Sequence, residues 1–172
     1  KLNSAKEKLE KIPADFTYND MNAGELLNKI NSHSEWLNIC GMWSLTTGKA
    51  ISSQGGAYGG YTWTSEFDSG QNQLEVTCII NDDDSVTVKT LGSFMVYTNY
   101  SVISAGLTWE FHSITTQKTV NNFGSIAIDD YTTLNLSGSQ ITANYKKVDN
   151  TQDVYFTYTY ETNVAYERKQ AY

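Results

Sequence analysis

From Gly41 onward, apolar and polar residues alternate at single-residue intervals, which is the mark of β-strands that bury one face and solvate the other. Trp43, Leu45 and Thr47 open the pattern, and Tyr61, Trp63, Ser65 and Phe67 repeat it. Leu74, Val76, Cys78 and Ile80 form the next run, which Asn81-Asp82-Asp83-Asp84 turns back into Val86 and Val88. Phe94, Val96, Thr98, Tyr100 and Val102 share one phase, and Ala105-Gly106 reverses the chain into Leu107, Trp109 and Phe111. A shorter run covers Ser125–Ile128. Leu134 and Leu136 then face Ile141, Ala143 and Tyr145 across Ser137-Gly138, and a last alternation runs from Val154 to Arg168. The spacing predicts about eight to ten strands, as in an up-and-down barrel or a sandwich. No crossover helix interrupts the pattern and the one proline, Pro13, lies outside it, so the fold class is mainly β with antiparallel ladders.

Before residue 40 the period is helical. Ser4 is placed to cap a short helix that Pro13 stops. A second helix is expected from Asn19-Asp20, with Leu26, Leu27 and Ile30 on one stripe, and Ser34 is expected to cap a turn carrying Trp36 and Leu37. Residues 1–39 therefore read as a helical segment packing on the outside or across one end of a β domain formed by residues 40–172. A chain of 172 residues is long enough to build that core without staples.

The net charge of −7 and the single arginine argue against nucleic-acid binding, which needs clustered cations. No run approaches the roughly 18 apolar residues of a membrane helix. Cys40 and Cys78 are too few for a cysteine-rich zinc site, and they read equally as two buried free thiols or as one disulfide. His33 and His112 have no spaced partner, and His112 is expected on the outward phase, so neither a metal site nor a cofactor is expected. Glu66, Glu75 and Glu110 alternate against the apolar phase and are expected in solvent, and no nucleophile elbow occurs. No catalytic residue is assigned and the chain is not read as an enzyme.

Gly41-Met42-Trp43 opens the first strand directly after the helical segment, and Arg168 lies near the end of the last. The arrangement resembles the lipocalin-like (calycin) domains, of the type found in exported proteins of gut Bacteroidetes. The resemblance implies an antiparallel up-and-down β-barrel whose closed end is sealed by Trp43 beneath the Arg168 guanidinium. It also implies an extracellular or cell-envelope location, with a lipid anchor on an upstream residue, and a cup for a small hydrophobic or aromatic ligand. On the period-2 phase, Tyr61, Trp63, Phe67, Trp109, Phe111, Phe156 and Tyr158 would line that cup, together with Phe94, Tyr100 and Tyr160. The same residues could instead simply fill the interior. The glycine-rich segment from Ser52 to Tyr61 is expected to form a loop over the mouth. The competing reading is a structural or self-assembling surface protein without a small-molecule ligand, with Tyr97, Tyr155 and Thr157 on the outward phase.

Overall fold

The computed structural model describes residues 2–13, 15–56, 60–67, 73–101, 106–138, 140–151 and 155–171. Helix α1 (Leu2–Leu9) contains Ser4 rather than starting at it, and it ends before Pro13. Where the sequence suggests a second helix start, the chain makes a small hairpin of β1 (Thr17–Tyr18) and β2 (Met21–Asn22). Asn19 and Asp20 take φ of 50° and 62° in its turn, the left-handed pair that a tight two-residue hairpin requires. Helix α2 (Ala23–Ser32) begins only at Asn22. There the Asn22 side chain accepts from the Glu25 amide at 3.0 Å, and Glu25 accepts from the Asn22 amide at 2.8 Å, a reciprocal capping box. Helix α3 (Ser34–Ile39) starts after His33, with Ser34 as its first residue instead of its cap.

This segment closes one end of the β domain. Trp36 and Ile39 of α3 are buried in the main core, and Trp36 meets Phe123 edge-on at 5.0 Å. The Lys29 ammonium donates to the Asn81 carbonyl at 3.0 Å, and the His33 Nε2 lies 2.9 Å from the Asp84 carbonyl oxygen. The helices are thereby fixed to the turn that the Asn81–Asp84 run was expected to make. Ile80 pairs with Val86 across that turn, and Asp84 takes φ 64°.

The remaining strands are β3 (Gly41–Gly56), β4 (Tyr61–Phe67), β5 (Gln73–Ile80), β6 (Val86–Ser101), β7 (Gly106–Ser113), β8 (Thr116–Val120), β9 (Ser125–Ala127), β10 (Thr132–Ser137), β11 (Gln140–Asp149) and β12 (Phe156–Ala171). They form one antiparallel sheet in the order β7-β6-β5-β3-β12-β11-β10-β9. The start of β3 pairs with β5 and its later part with β4, while β6 pairs first with β8 and then with β7. Strand β8 was not visible as a strand in the sequence, because Thr116-Gln117-Lys118-Thr119 offers no apolar phase. Its ladder with Val86–Thr90 makes it one.

A flat sheet of this width could not gather both its ends around one core. Here Val96 of β6, Leu134 of β10 and Tyr166 of β12 belong to a single buried cluster. The sheet therefore curls, and its outer strands meet through side chains. His112 of β7 bonds Asp129 and Thr132 at the far end of the strand order. Among the described residues no backbone ladder joins β7 or β8 to β9.

Candidate functional site

The pairing of β4, β3, β12 and β11 sets out four rows of neighbouring side chains on the buried face. They run Phe67–Gly48–Val164–Ala143, Ser65–Ala50–Thr162–Tyr145, Trp63–Ser52–Tyr160–Lys147 and Tyr61–Gln54–Tyr158–Asp149. Small or polar residues on β3 alternate with large ones beside them. Gly48 is required by this packing, since a Cβ there would lie 2.2 Å from the Phe67 ring. Tyr61, Trp63, Phe67, Phe156 and Tyr158 thus share one face. Tyr158 is fully buried, Trp63, Phe67 and Phe156 are half-buried, and Tyr61 is exposed at the outer row.

Trp109 and Phe111 are not part of this constellation. They pack edge-to-face at 5.4 Å on the outside of β7 and are 52% and 58% exposed. The partner strand explains the reversal. His112 pairs with the buried Phe94, which carries it inward and leaves Phe111 outside; Trp109 is exposed although its register partner Tyr97 is buried, at the bulge that follows Tyr97. Tyr97, expected outside, is buried, with its hydroxyl bonded to that of Ser65. The Tyr100 side chain lies outside the described residues. Tyr155 and Thr157 are exposed. The expected loop from Ser52 shortens to a hairpin, because Ser52–Gly56 belong to β3 and Gln54 pairs with Tyr61; the rest of that loop, 57–59, lies outside the described residues.

The buried face carries polar groups that the aromatic pattern concealed. Gln54 Nε2 donates to the Tyr158 hydroxyl at 3.2 Å. The hydroxyls of Ser52, Thr162 and Tyr166 are buried with no hydrogen-bond partner among the described residues. Burial alone pushes the Tyr166 phenol upward. A buried hydroxyl without a partner costs roughly 1–3 kcal/mol, so two on adjacent rows mark a place where a polar guest would be stabilised. No local signal announced them: Trp43 and Leu45 are buried on one phase of β3, and the bulge at Thr46 moves burial to the other, so that Ser52 and Gln54 enter the core.

At the other end of the sheet, His112 contacts Phe94 at 6.1 Å and Tyr145 at 4.9 Å between ring centres. Its Nε2–H donates to Asp129 Oδ2 at 2.8 Å, and the Thr132 hydroxyl oxygen lies 2.8 Å from the same nitrogen. A relay to a nucleophile would divide the two ring nitrogens between carboxylate and hydroxyl. Here both contacts fall on one nitrogen, so the arrangement holds the ring in place. Burial, with Glu110 next, pushes the Tyr145 phenol up to about 12. For Asp129, burial acts upward but is outweighed by the Tyr131 amide, the Thr132 hydroxyl and His112, so its carboxyl titrates below the ordinary range. Its contribution to stability is present above the unfolded-state value near ~3.9 and is lost as pH falls through the lower folded value. Asp129→Asn should therefore flatten the acid limb of a stability–pH curve measured by urea unfolding; parallel curves for the two proteins would refute the assignment.

A groove of about 870 Å3 at the same central strands is lined both by Thr47, Lys49, Glu66, Asn135, Asn144 and Asn163 and by Phe67, Gly48, Val164 and Ala143 of the first row. The β-bulge at Thr46 lies at its rim.

Where α3 passes into β3, Trp43 is fully buried, and its Nε1–H donates to the Ile39 carbonyl at 2.9 Å. The Arg168 guanidinium carbon stands 4.8 Å from the Trp43 ring centre, and the two residues are register partners. Comparison with protein-family models and with curated proteins finds no match for the chain. No cluster of metal-binding side chains occurs among the described residues, and no described helix is long and apolar enough to cross a membrane.

Proposed function

We propose that the chain is a lipocalin-like binding domain, its curled sheet working as a barrel that holds a small, mainly aromatic or apolar molecule inside. The observation that carries this reading is the pair of buried hydroxyls on Ser52 and Thr162, lacking partners among the described residues, on the face that also presents Trp63, Phe67 and Tyr158. The guest would lie against the aromatic rings and complete the hydrogen bonds of the hydroxyls, with Tyr61 and Phe156 at the entrance. The stack of Arg168 on Trp43 at the opposite end supports the same reading, because it matches the order in which that family closes its barrel. Export to the cell envelope belongs to this proposal as well.

The test is titration with a panel of aromatic and apolar compounds carrying one or two hydroxyl, carbonyl or amide groups, read by tryptophan fluorescence and by thermal shift. A binder should lose at least about tenfold in affinity on Trp63→Ala and several-fold on Ser52→Ala, while Trp109→Ala should leave affinity unchanged. No response across the panel, or equal losses at Trp63 and Trp109, would reject the interior site. Light scattering on the same samples addresses the competing reading. Reversible self-association abolished by Trp109→Ala, with no ligand response, would favour an assembling surface protein that uses the exposed pair on β7.

A further inference from the structure

Cys40 caps the end of α3, with its thiol 3.3 Å from the Trp36 carbonyl oxygen, and it leads into β3. The first pair of the β3–β5 ladder is Gly41 with Val76. Cys40 lies one residue before that pair and Cys78 two residues beyond it on β5, so continuing the ladder puts Cys40 opposite Thr77, next to Cys78, although the two cysteines are far apart in sequence. Both cysteines are reduced and half-buried, and each thiol lies close enough to the other to shift its titration.

We propose that Cys40 and Cys78 are a redox pair that closes into an intramolecular disulfide, locking the end of α3 to β5 beneath the Trp43–Arg168 stack. The roles of the two sulfurs differ. The hydrogen bond from Cys78, aided by the Arg168 guanidinium and opposed by burial, holds the Cys40 thiol below its ordinary range. The same hydrogen bond and burial push the Cys78 thiol up. With the Arg168 charge acting on Cys40 and Cys78 the more deeply buried of the two, the order to be tested is Cys40 as the attacking thiolate and Cys78 as the resolving thiol. With a small-molecule disulfide as oxidant, the Cys40 thiolate attacks one sulfur, forms a mixed disulfide and releases one oxidant thiolate. Cys78 then gives up its proton and attacks the Cys40 sulfur, and the second oxidant thiolate leaves. The protein loses two electrons and two protons, and the oxidant is reduced to two thiols.

The experiment treats the folded, reduced chain with oxidised glutathione and counts maleimide-reactive thiols after unfolding. The expected product is a monomer about 2 Da lighter, with no reactive thiol and with the Cys40 and Cys78 peptides joined. It should melt roughly 5–15 °C higher and return to its starting value with reductant, since the bond closes a long loop. Cys78→Ser should stall with one glutathione on Cys40, whereas Cys40→Ser should stay largely unmodified. The proposal is overturned if wild-type protein keeps its free thiols, accumulates a stable mixed disulfide or crosslinks between chains. Equal modification of the two variants would overturn the assignment of Cys40 as the attacking sulfur.

Discussion

Trp43→Ala should lower the unfolding free energy by about 3–5 kcal/mol, a large share of what holds an ordinary domain together. Three losses combine at that position. The indole is entirely inside the core, so its removal opens a cavity between β3, β5 and α3 that neighbouring strands cannot collapse into without breaking ladders. The Ile39 carbonyl loses the donor that reaches it at 2.9 Å, at the junction where α3 passes into β3. Arg168 loses the ring beneath it. Trp43→Phe restores most of the volume but neither the donor nor the larger π face, and should cost roughly 1–3 kcal/mol. Trp109→Ala is the matched control. Its side chain is half in water on the outside of β7, and the change should stay within about 1 kcal/mol. Guanidinium unfolding followed by circular dichroism measures all three. A Trp43→Ala loss no greater than that of Trp109→Ala would show that the junction of α3, β3 and β12 is not where the fold is anchored.

The same comparison shows how far the sequence can be read. Alternation announces strands, and it located nearly all of them from Gly41 on, because buried and solvated faces leave a period of two in any antiparallel sheet. It does not say which phase faces in. In β7 the apolar phase, Trp109 and Phe111, lies outside, while β6 presents Phe94 inward and the register carries His112 to the same side. A lone β6 bulge at Thr98 lets Asn99 pair with Thr108 and shifts the remaining register, which no local pattern reveals. Ser52–Gly56 looked like a loop by its glycines and serines. It is strand because Tyr158 and Tyr160 on β12 supply the bulk its own residues lack. His112 looked isolated because its partners, Asp129 and Thr132, arrive from a turn and a strand paired with neither β6 nor β7. Trp43 and Arg168 were legible because the first and last long strands of a curled sheet lie side by side.

Gly41→Ala should be the most damaging change of a single methyl group, costing about 3 kcal/mol or more and disordering the final turn of β12. Gly41 sits at φ 149°, a conformation that residues with a side chain rarely adopt, and the strain alone is worth roughly 1–3 kcal/mol. Space makes it worse. A Cβ at this position would stand 2.1 Å from the Gln170 carbonyl oxygen and 3.1 Å from the Ala171 Cα. Both are backbone atoms, so no side chain can swing aside, and relief requires β12 to part from β3 at the Gln170–Met42 and Ala171–Gly41 pairs. That movement lifts the strand bearing Arg168 away from Trp43. The expected readout is therefore twofold: a lower unfolding free energy, and a change in the near-ultraviolet circular dichroism of the tryptophans at temperatures where the sheet is intact. Gly138→Ala, at a hairpin where a Cβ meets nothing within 4 Å, should change neither by more than about 0.5 kcal/mol or its spectral equivalent. If Gly41→Ala matched Gly138→Ala in both measurements, the close approach of β12 to the start of β3 would be wrong, and with it the geometry that brings the two ends of the sheet together over the indole.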